Sequence, residues 1–275
     1  MRGGHAPPFL LAFLDACAMI KKKGGETMVH EAYTRYIPGS RLAVLLIHGI
    51  VGTPHHFEEL LPLIPGNWSV YNILLEGHGG SVADFSHSSM DKWRAQALAA
   101  VDQVTARHEK VVIVAHSMGT LFAIRAAIDD PEKIARLFLL NVPVRIKLTP
   151  TMAINSLRLA LGDRRTEELK ILHRRCSISL DKRLWLYIPW IPRFWELMLE
   201  GERVRKLLPL LKTPGEAFVS MKDEVVQRRT RHDLPAAGNL AVHLLPESGH
   251  YFYPSADTAL VQTKLAATFE KTENS

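Results

Sequence analysis

One nine-residue stretch constrains this chain more than any other: Val111-Val112-Ile113-Val114-Ala115-His116-Ser117-Met118-Gly119. A β-branched run suited to a buried strand stops at a serine set among small residues. An alanine-rich segment over 121–128 follows at once and reads as a helix. Small side chains at Ala115 and Gly119 allow the chain to turn sharply between the two. Such a turn would hold the Ser117 hydroxyl at the tip of a sheet, with the free N–H groups of a helix N-terminus behind it. That is the arrangement of a nucleophile elbow, here with alanine in place of glycine at its first position.

Apolar runs over 42–47, 70–75, 137–142, 216–221 and 240–245 join 111–115 as six strand candidates. Helix-like segments over 57–63, 90–108, 121–129 and 256–271 lie between and after them. Strands alternating with helices imply an α/β fold: a mostly parallel central sheet with helices on both faces. Ligands then sit beyond the C-terminal ends of the strands. The alternation stops over 144–212, which has helical periodicity broken by Pro189, Pro192 and Pro209 and no strand candidate. That segment reads as a helical cap inserted into a core made of 31–143 and 213–275.

The 275 residues suit one domain with such an insertion, and the formal net charge of +6 is unevenly placed. Between Val144 and Lys212 there are fifteen Lys/Arg against seven Asp/Glu. Cys17 and Cys176 lie far apart without metal-ligand spacing, which fits a reducing, cytoplasmic compartment. The apolar run 9–14 precedes Asp15, Ala16 and Cys17, so a short signal peptide or lipoprotein box is one reading. Asp15 breaks that run, Lys21-Lys22-Lys23 follows, and the run is too short to span a bilayer. A poorly ordered extension over 1–30 is the preferred expectation. Neither a zinc-type Cys/His spacing nor a phosphate-binding glycine loop occurs.

A serine hydroxyl needs a base, a group to orient that base, and donors for the oxyanion that forms. His250, in Ser248-Gly249-His250 just past the last strand candidate, is the expected base. Asp223, past the preceding strand, is the expected acid, with Glu224 as the competing carboxylate, whose more ordinary role is a solvated loop charge. Some related architectures place the acid one strand earlier, but Leu140-Asn141-Val142-Pro143 offers no carboxylate. The order Ser, Asp, His suits a triad built on this sheet. Backbone N–H groups of Met118 and Ile50 are the expected oxyanion donors, the second on the loop His48-Gly49-Ile50-Val51-Gly52.

With Glu76-Gly77-His78-Gly79-Gly80-Ser81 added to these motifs, the chain resembles the α/β-hydrolase superfamily, particularly bacterial carboxylesterases and monoacylglycerol lipases. The resemblance runs over roughly 33–269 and matches the cap only in kind. It departs at Ala115 and at Glu76, where relatives often carry Asp. It implies Ser117 as nucleophile, Asp223 and His250 as its partners, Ile50 and Met118 as donors, and no cofactor. Serine at the nucleophile position speaks against the aspartate-dependent dehalogenase and epoxide hydrolase branches.

The cap holds Trp185, Trp190 and Trp195, three of the five tryptophans. They form either the cap's own core and seam or an apolar wall for an acyl or aryl group. Arg164, Arg165, Arg174, Arg175, Arg203 and Arg205 read as a solvated helix face, with attraction to an anionic membrane as the sharper alternative. No nucleic-acid recognition motif accompanies them. The expected activity is cleavage of hydrophobic carboxylic esters, such as monoacylglycerols, through an acyl-enzyme. A thioesterase, lysophospholipase, amidase or carbon–carbon hydrolase would use the same residues, and a slow-turnover ligand receptor would keep them.

Overall fold

Six of the seven strands are the apolar runs of the sequence. The computed structural model describes residues 30–147, 149, 158, 163, 165–179, 181 and 183–275. The extension expected at the N-terminus, His30 apart, and Arg164 lie outside the described residues. The strands are β1 Tyr33–Arg35, β2 Leu42–Ile47, β3 Ser69–Ile73, β4 Lys110–His116, β5 Ile134–Leu140, β6 Gly215–Ser220 and β7 Leu240–Leu245. They form one sheet in the order β1-β3-β2-β4-β5-β6-β7. Only β1 is antiparallel to its neighbour, so the sheet is mostly parallel as expected. β1 has three largely exposed residues and thus no apolar period to read.

Among the described residues the helices are α1 Val82–Ser86, α2 Met90–Thr105, α3 Met118–Asp129, α4 Glu167–Arg175, α5 Trp190–Leu207, α6 Thr230–Asp233 and α7 Ser255–Glu273. Because the middle strands are covered on both faces, they are apolar without interruption. Alternate side chains part to opposite sides. Ala43, Leu45, Ile47, Val111 and Ile113 pack with Trp93 and Ala97 of α2 and with the buried face of α3. Val44, Leu46, Val112, Val114 and Phe138 pack with Val261, Leu265 and Phe269 of α7.

Two local readings change. The helix expected over 57–63 is instead a pair of 3-10 turns, Pro54–Phe57 and Leu61–Leu63. Pro62 lacks an N–H and disfavours the helical conformation of Leu61 before it, so an α-helix cannot run through. The short α1 lies outside the helix-like segments of the sequence, although its start is written in the chain. Ser81 Oγ accepts from the Asp84 N–H, and Asp84 reaches back to the Ser81 N–H at 2.7 Å.

The segment between β5 and β6 contributes α4 and α5. Gly201 brings α5 so close to the β5 exit that a Cβ there would stand 2.3 Å from the Pro143 carbonyl oxygen. Trp190 is buried, donates its indole N–H to Val82 O at 3.1 Å, and packs on Phe85. Glu200, also buried, meets Arg94 of α2 and Arg203 of its own helix, each at 3.2 Å. Ser177 and Ser179 bond to Val51 and Gly80, on loops after β2 and β3. The insertion therefore reaches the C-terminal side of the sheet. Among the described residues no helix is long and apolar enough to cross a membrane.

Candidate active site

At the junction of β4 and α3, Ser117 adopts φ 50° and ψ −125°. A side chain rarely tolerates that region, and holding it costs about 1–3 kcal/mol. The turn is enforced on both sides. Ser117 N–H donates to Leu140 O at 2.9 Å, and its carbonyl accepts from the Thr120 N–H at 2.9 Å. Gly119 is required because its Cα faces the end of β2: a Cβ would stand 2.2 Å from Ile47 O and 2.7 Å from His48 O. Gly49 is required in the same way, since a Cβ there would lie 2.7 Å from Ser117 Cβ. Alanine at position 115 sits fully buried within β4 without a register shift, between Ile47 and Leu139. Replacing Gly119 with alanine is expected to cost about 3 kcal/mol through backbone displacement. Urea unfolding of G119A measures it, and an unchanged midpoint would contradict the close approach.

The three residues expected to act together are brought together. His250 Nε2 lies 3.0 Å from Ser117 Oγ, and His250 Nδ1 lies 2.8 Å from Asp223 Oδ2. The other Asp223 oxygen accepts from the N–H groups of Val225 and Val226, at 2.7 and 2.6 Å. All three side chains are buried. Burial pulls the His250 imidazole down, but the Asp223 carboxylate, joined by Glu224, outweighs it, so its pKa stands above the usual 6.5.

Glu224 corrects the reading as a solvated charge. Its Oε2 accepts the His250 backbone N–H at 3.0 Å. The His250 carbonyl is held as well, by His116 Nε2 at 3.0 Å and by Asn141 Nδ2 at 3.2 Å. Asn141 also accepts from the Ser220 N–H through Oδ1 at 3.0 Å, and it sits at φ 54°. Asparagine tolerates that conformation better than most side chains. The Leu140-Asn141 corner, which carries no acid, therefore holds the His250 loop instead.

On the loop after β2, Val51 N–H donates to His78 Nε2 at 3.1 Å, and Gly52 N–H to Gly49 O at 3.0 Å. Among the described residues the Ile50 N–H makes no hydrogen bond. Met118 opens α3, so its N–H has no intrahelical acceptor. His48 accepts the Leu75 N–H at Nε2 and lies 2.8 Å from Gly49 O through Nδ1. It thus carries its proton on Nδ1, and burial holds its pKa at about 4. His78 and His116 are likewise held low by burial. These neutral imidazoles clamp backbone. Among the described residues no group of three or more His, Cys, Asp or Glu is placed to hold a metal.

A family model described as the alpha/beta hydrolase family matches residues 44–263, most of the chain. The chain belongs to the alpha/beta hydrolase family. A pimeloyl-[acyl-carrier protein] methyl ester esterase from Neisseria meningitidis serogroup C is 33% identical to this alpha/beta hydrolase over 112 residues. That match spans 41% of this chain and 41% of the relative's own length. Among solved structures, a metagenome-derived lipolytic enzyme superposes with a TM-score of 0.67 at 21% identity, over 88% of this chain and 100% of its own. The monoacylglycerol lipase of Paleococcus ferrophilus gives 0.63 at 17%, over 88% and 99%. At such identities the likeness carries the fold and not the substrate.

The tryptophans of the insertion divide. Trp190 departs from the expectation of a substrate wall, since its ring is buried in the seam with α1 and its N–H is taken. Trp185 and Trp195 are 64% and 61% exposed. Ile191, Trp195 and Met198 recur at three-to-four spacing and form one exposed apolar face of α5. The arginines are mostly paired: Arg165 with Asp163 at 2.9 Å, Arg174 with Glu58 at 3.6 Å, Arg205 with Glu202 at 2.7 Å. Arg175 is no solvated charge at all. It is 4% exposed and donates to Tyr251 O.

Proposed function

We propose that this alpha/beta hydrolase cleaves carboxylic esters through an acyl-enzyme, with Ser117, His250 and Asp223 as its triad. The observation that carries this reading is the continuous hydrogen-bonded line from Ser117 Oγ through His250 to Asp223, set at a strained strand-to-helix turn. Ser117 Oγ attacks the ester carbonyl while His250 Nε2 takes its proton. The resulting oxyanion lies against the N–H groups of Ile50 and Met118. Asp223 keeps the His250 proton on Nδ1 before attack and faces the imidazolium after it. Collapse expels the alcohol, which receives the proton from Nε2. Water then repeats the sequence on the acyl-enzyme and releases the acid.

The insertion acts as a cap, and its apolar surface favours a hydrophobic acyl group. Exposed Trp185 and Trp195, with Ile191 and Met198, support this. So does the relative named for the methyl ester of a protein-bound pimeloyl chain. A fluorophosphonate probe is expected to label Ser117, and kcat/KM on p-nitrophenyl esters is expected to rise from acetyl to octanoyl. Trp185→Ala and Trp195→Ala together should remove about 1–3 kcal/mol of that preference, the worth of a few buried methylenes. Equal rates across chain lengths would remove the acyl assignment, and absence of label on Ser117 would remove the triad.

A further inference from the structure

Two loops must keep their relative positions for this site to work. One carries His250, the other carries the Ile50 N–H. One side chain joins them by a hydrogen bond: the Tyr251 hydroxyl donates to Ile50 O at 3.1 Å. We propose that Tyr251 is a positioning residue that keeps the oxyanion loop in register with the catalytic base. The proposal rests on the reading of Ile50 as an oxyanion donor given above.

Ile50 O and the Val51 N–H belong to one peptide unit, and each end is held. Tyr251 takes the oxygen and His78 Nε2 takes the N–H at 3.1 Å. Fixing that plane restricts how far the adjoining 49–50 peptide, with its N–H, can swing about Ile50 Cα. The constraint is needed because Val51 sits at φ 56°. A β-branched residue in that region is a true outlier, and it persists only when its surroundings over-determine it. Ser177 of the insertion adds a third restraint, donating its N–H to Val51 O at 2.9 Å.

The other end of the link is equally fixed. Tyr251 directly follows His250, and its ring stands edge-on to the imidazole, with centroids 4.7 Å apart and planes at 87°. The buried Arg175 guanidinium donates to Tyr251 O, lies over the Tyr253 ring at 5.6 Å, and faces Glu59 at 3.6 Å. The bonds made by the His250 ring, to Asp223 and Ser117, do not pass through Tyr251. Its hydroxyl can therefore be removed without touching the base.

Tyr251→Phe deletes one oxygen and keeps the packed ring. Turnover of a medium-chain p-nitrophenyl ester is measured per active site, titrated with a fluorophosphonate, beside Ser117→Ala. The expected result is a fall of about tenfold in kcat, with KM within about twofold, because only the transition state uses the displaced donor. Affinity for an alkyl trifluoromethyl ketone, which forms an oxyanion on Ser117, should fall by the same factor. The acidic limb of kcat/KM should not move. Wild-type kcat per titrated site overturns the proposal. So does a loss explained wholly by fewer titratable sites or a lower melting temperature, or a shifted acidic limb. Turnover retained in Ser117→Ala would overturn the underlying reading of the site. An inert Ser117→Ala beside a fully active Tyr251→Phe would overturn only the role of Tyr251.

Discussion

Ser117→Ala is expected to lower kcat on p-nitrophenyl esters by about 10⁶-fold, the scale seen when a serine nucleophile is removed from a working triad. The loss should occur with little change in stability. Alanine at position 117 would occupy the same φ of 50° and carry the same backbone strain, because the strain comes from the Cβ that both residues share. The hydrogen bonds that enforce the turn, from the Ser117 N–H to Leu140 and from Thr120 to the Ser117 carbonyl, are main-chain bonds at position 117 and survive the change. A melting temperature near wild type with no turnover and no fluorophosphonate label is the predicted outcome. Ester turnover at the wild-type rate in this variant would falsify the assignment of the nucleophile.

Asp223→Asn is expected to cost about 10⁴-fold in kcat. Asp223 Oδ1 already accepts two backbone N–H groups, from Val225 and Val226. An asparagine keeps those bonds only by turning its oxygen toward them, which leaves its NH₂ facing His250 Nδ1. The imidazole must then carry its proton on Nε2, where it cannot receive one from Ser117. The pH profile should change as well. With His250 as the base, the neutral imidazole is the active form, and activity is expected to rise with pH through a His250 pKa that stands above 6.5. Burial alone lowers that pKa, and the Asp223 carboxylate is the largest influence raising it. Removing the charge leaves burial unopposed except by Glu224, so the acidic limb of the residual activity should move to lower pH. A kcat/KM profile between pH 4 and 9 measures it, and a limb that stays or rises would contradict the charge pairing.

Much of the site was legible because its signals are local. A β-branched run, a serine between small residues and an alanine-rich helix occupy consecutive positions, so Ser117 needs no distant information to be singled out. Asp223 and His250 follow strands β6 and β7, and position after a strand is again a local property. The capping box at Ser81 and Asp84 that opens α1 is equally local. The role of Glu224 is not legible, for the opposite reason. Nothing near it in the chain distinguishes it from a surface carboxylate, and only the return of the 248–250 loop, 26 residues later, sets the His250 N–H against it. The role of Asn141 is hidden in the same way, because its partners His250 and Ser220 lie 109 and 79 residues away.

The sequence by itself determined six of the seven strands, the strand-to-helix turn at Ser117 and the chain order of the three candidate side chains. Each follows from short-range sterics: which residues fill a two-sided strand, which backbone can turn at Ser117, and which side chains end at the tip of a strand. Tertiary structure alone decided how the His250 loop is held and what the insertion presents. Arg175 and Arg174 are neighbours in one basic run, yet one is buried against Tyr251 and the other meets Glu58 at the surface. Trp190 and Trp195 stand on one helix little more than a turn apart, yet the first closes a seam and the second faces outward. Residue type sets what a side chain can do, but the rotation of a helix against its neighbours sets which of those things it does. That rotation depends on contacts such as Gly201 against Pro143, which no local pattern encodes.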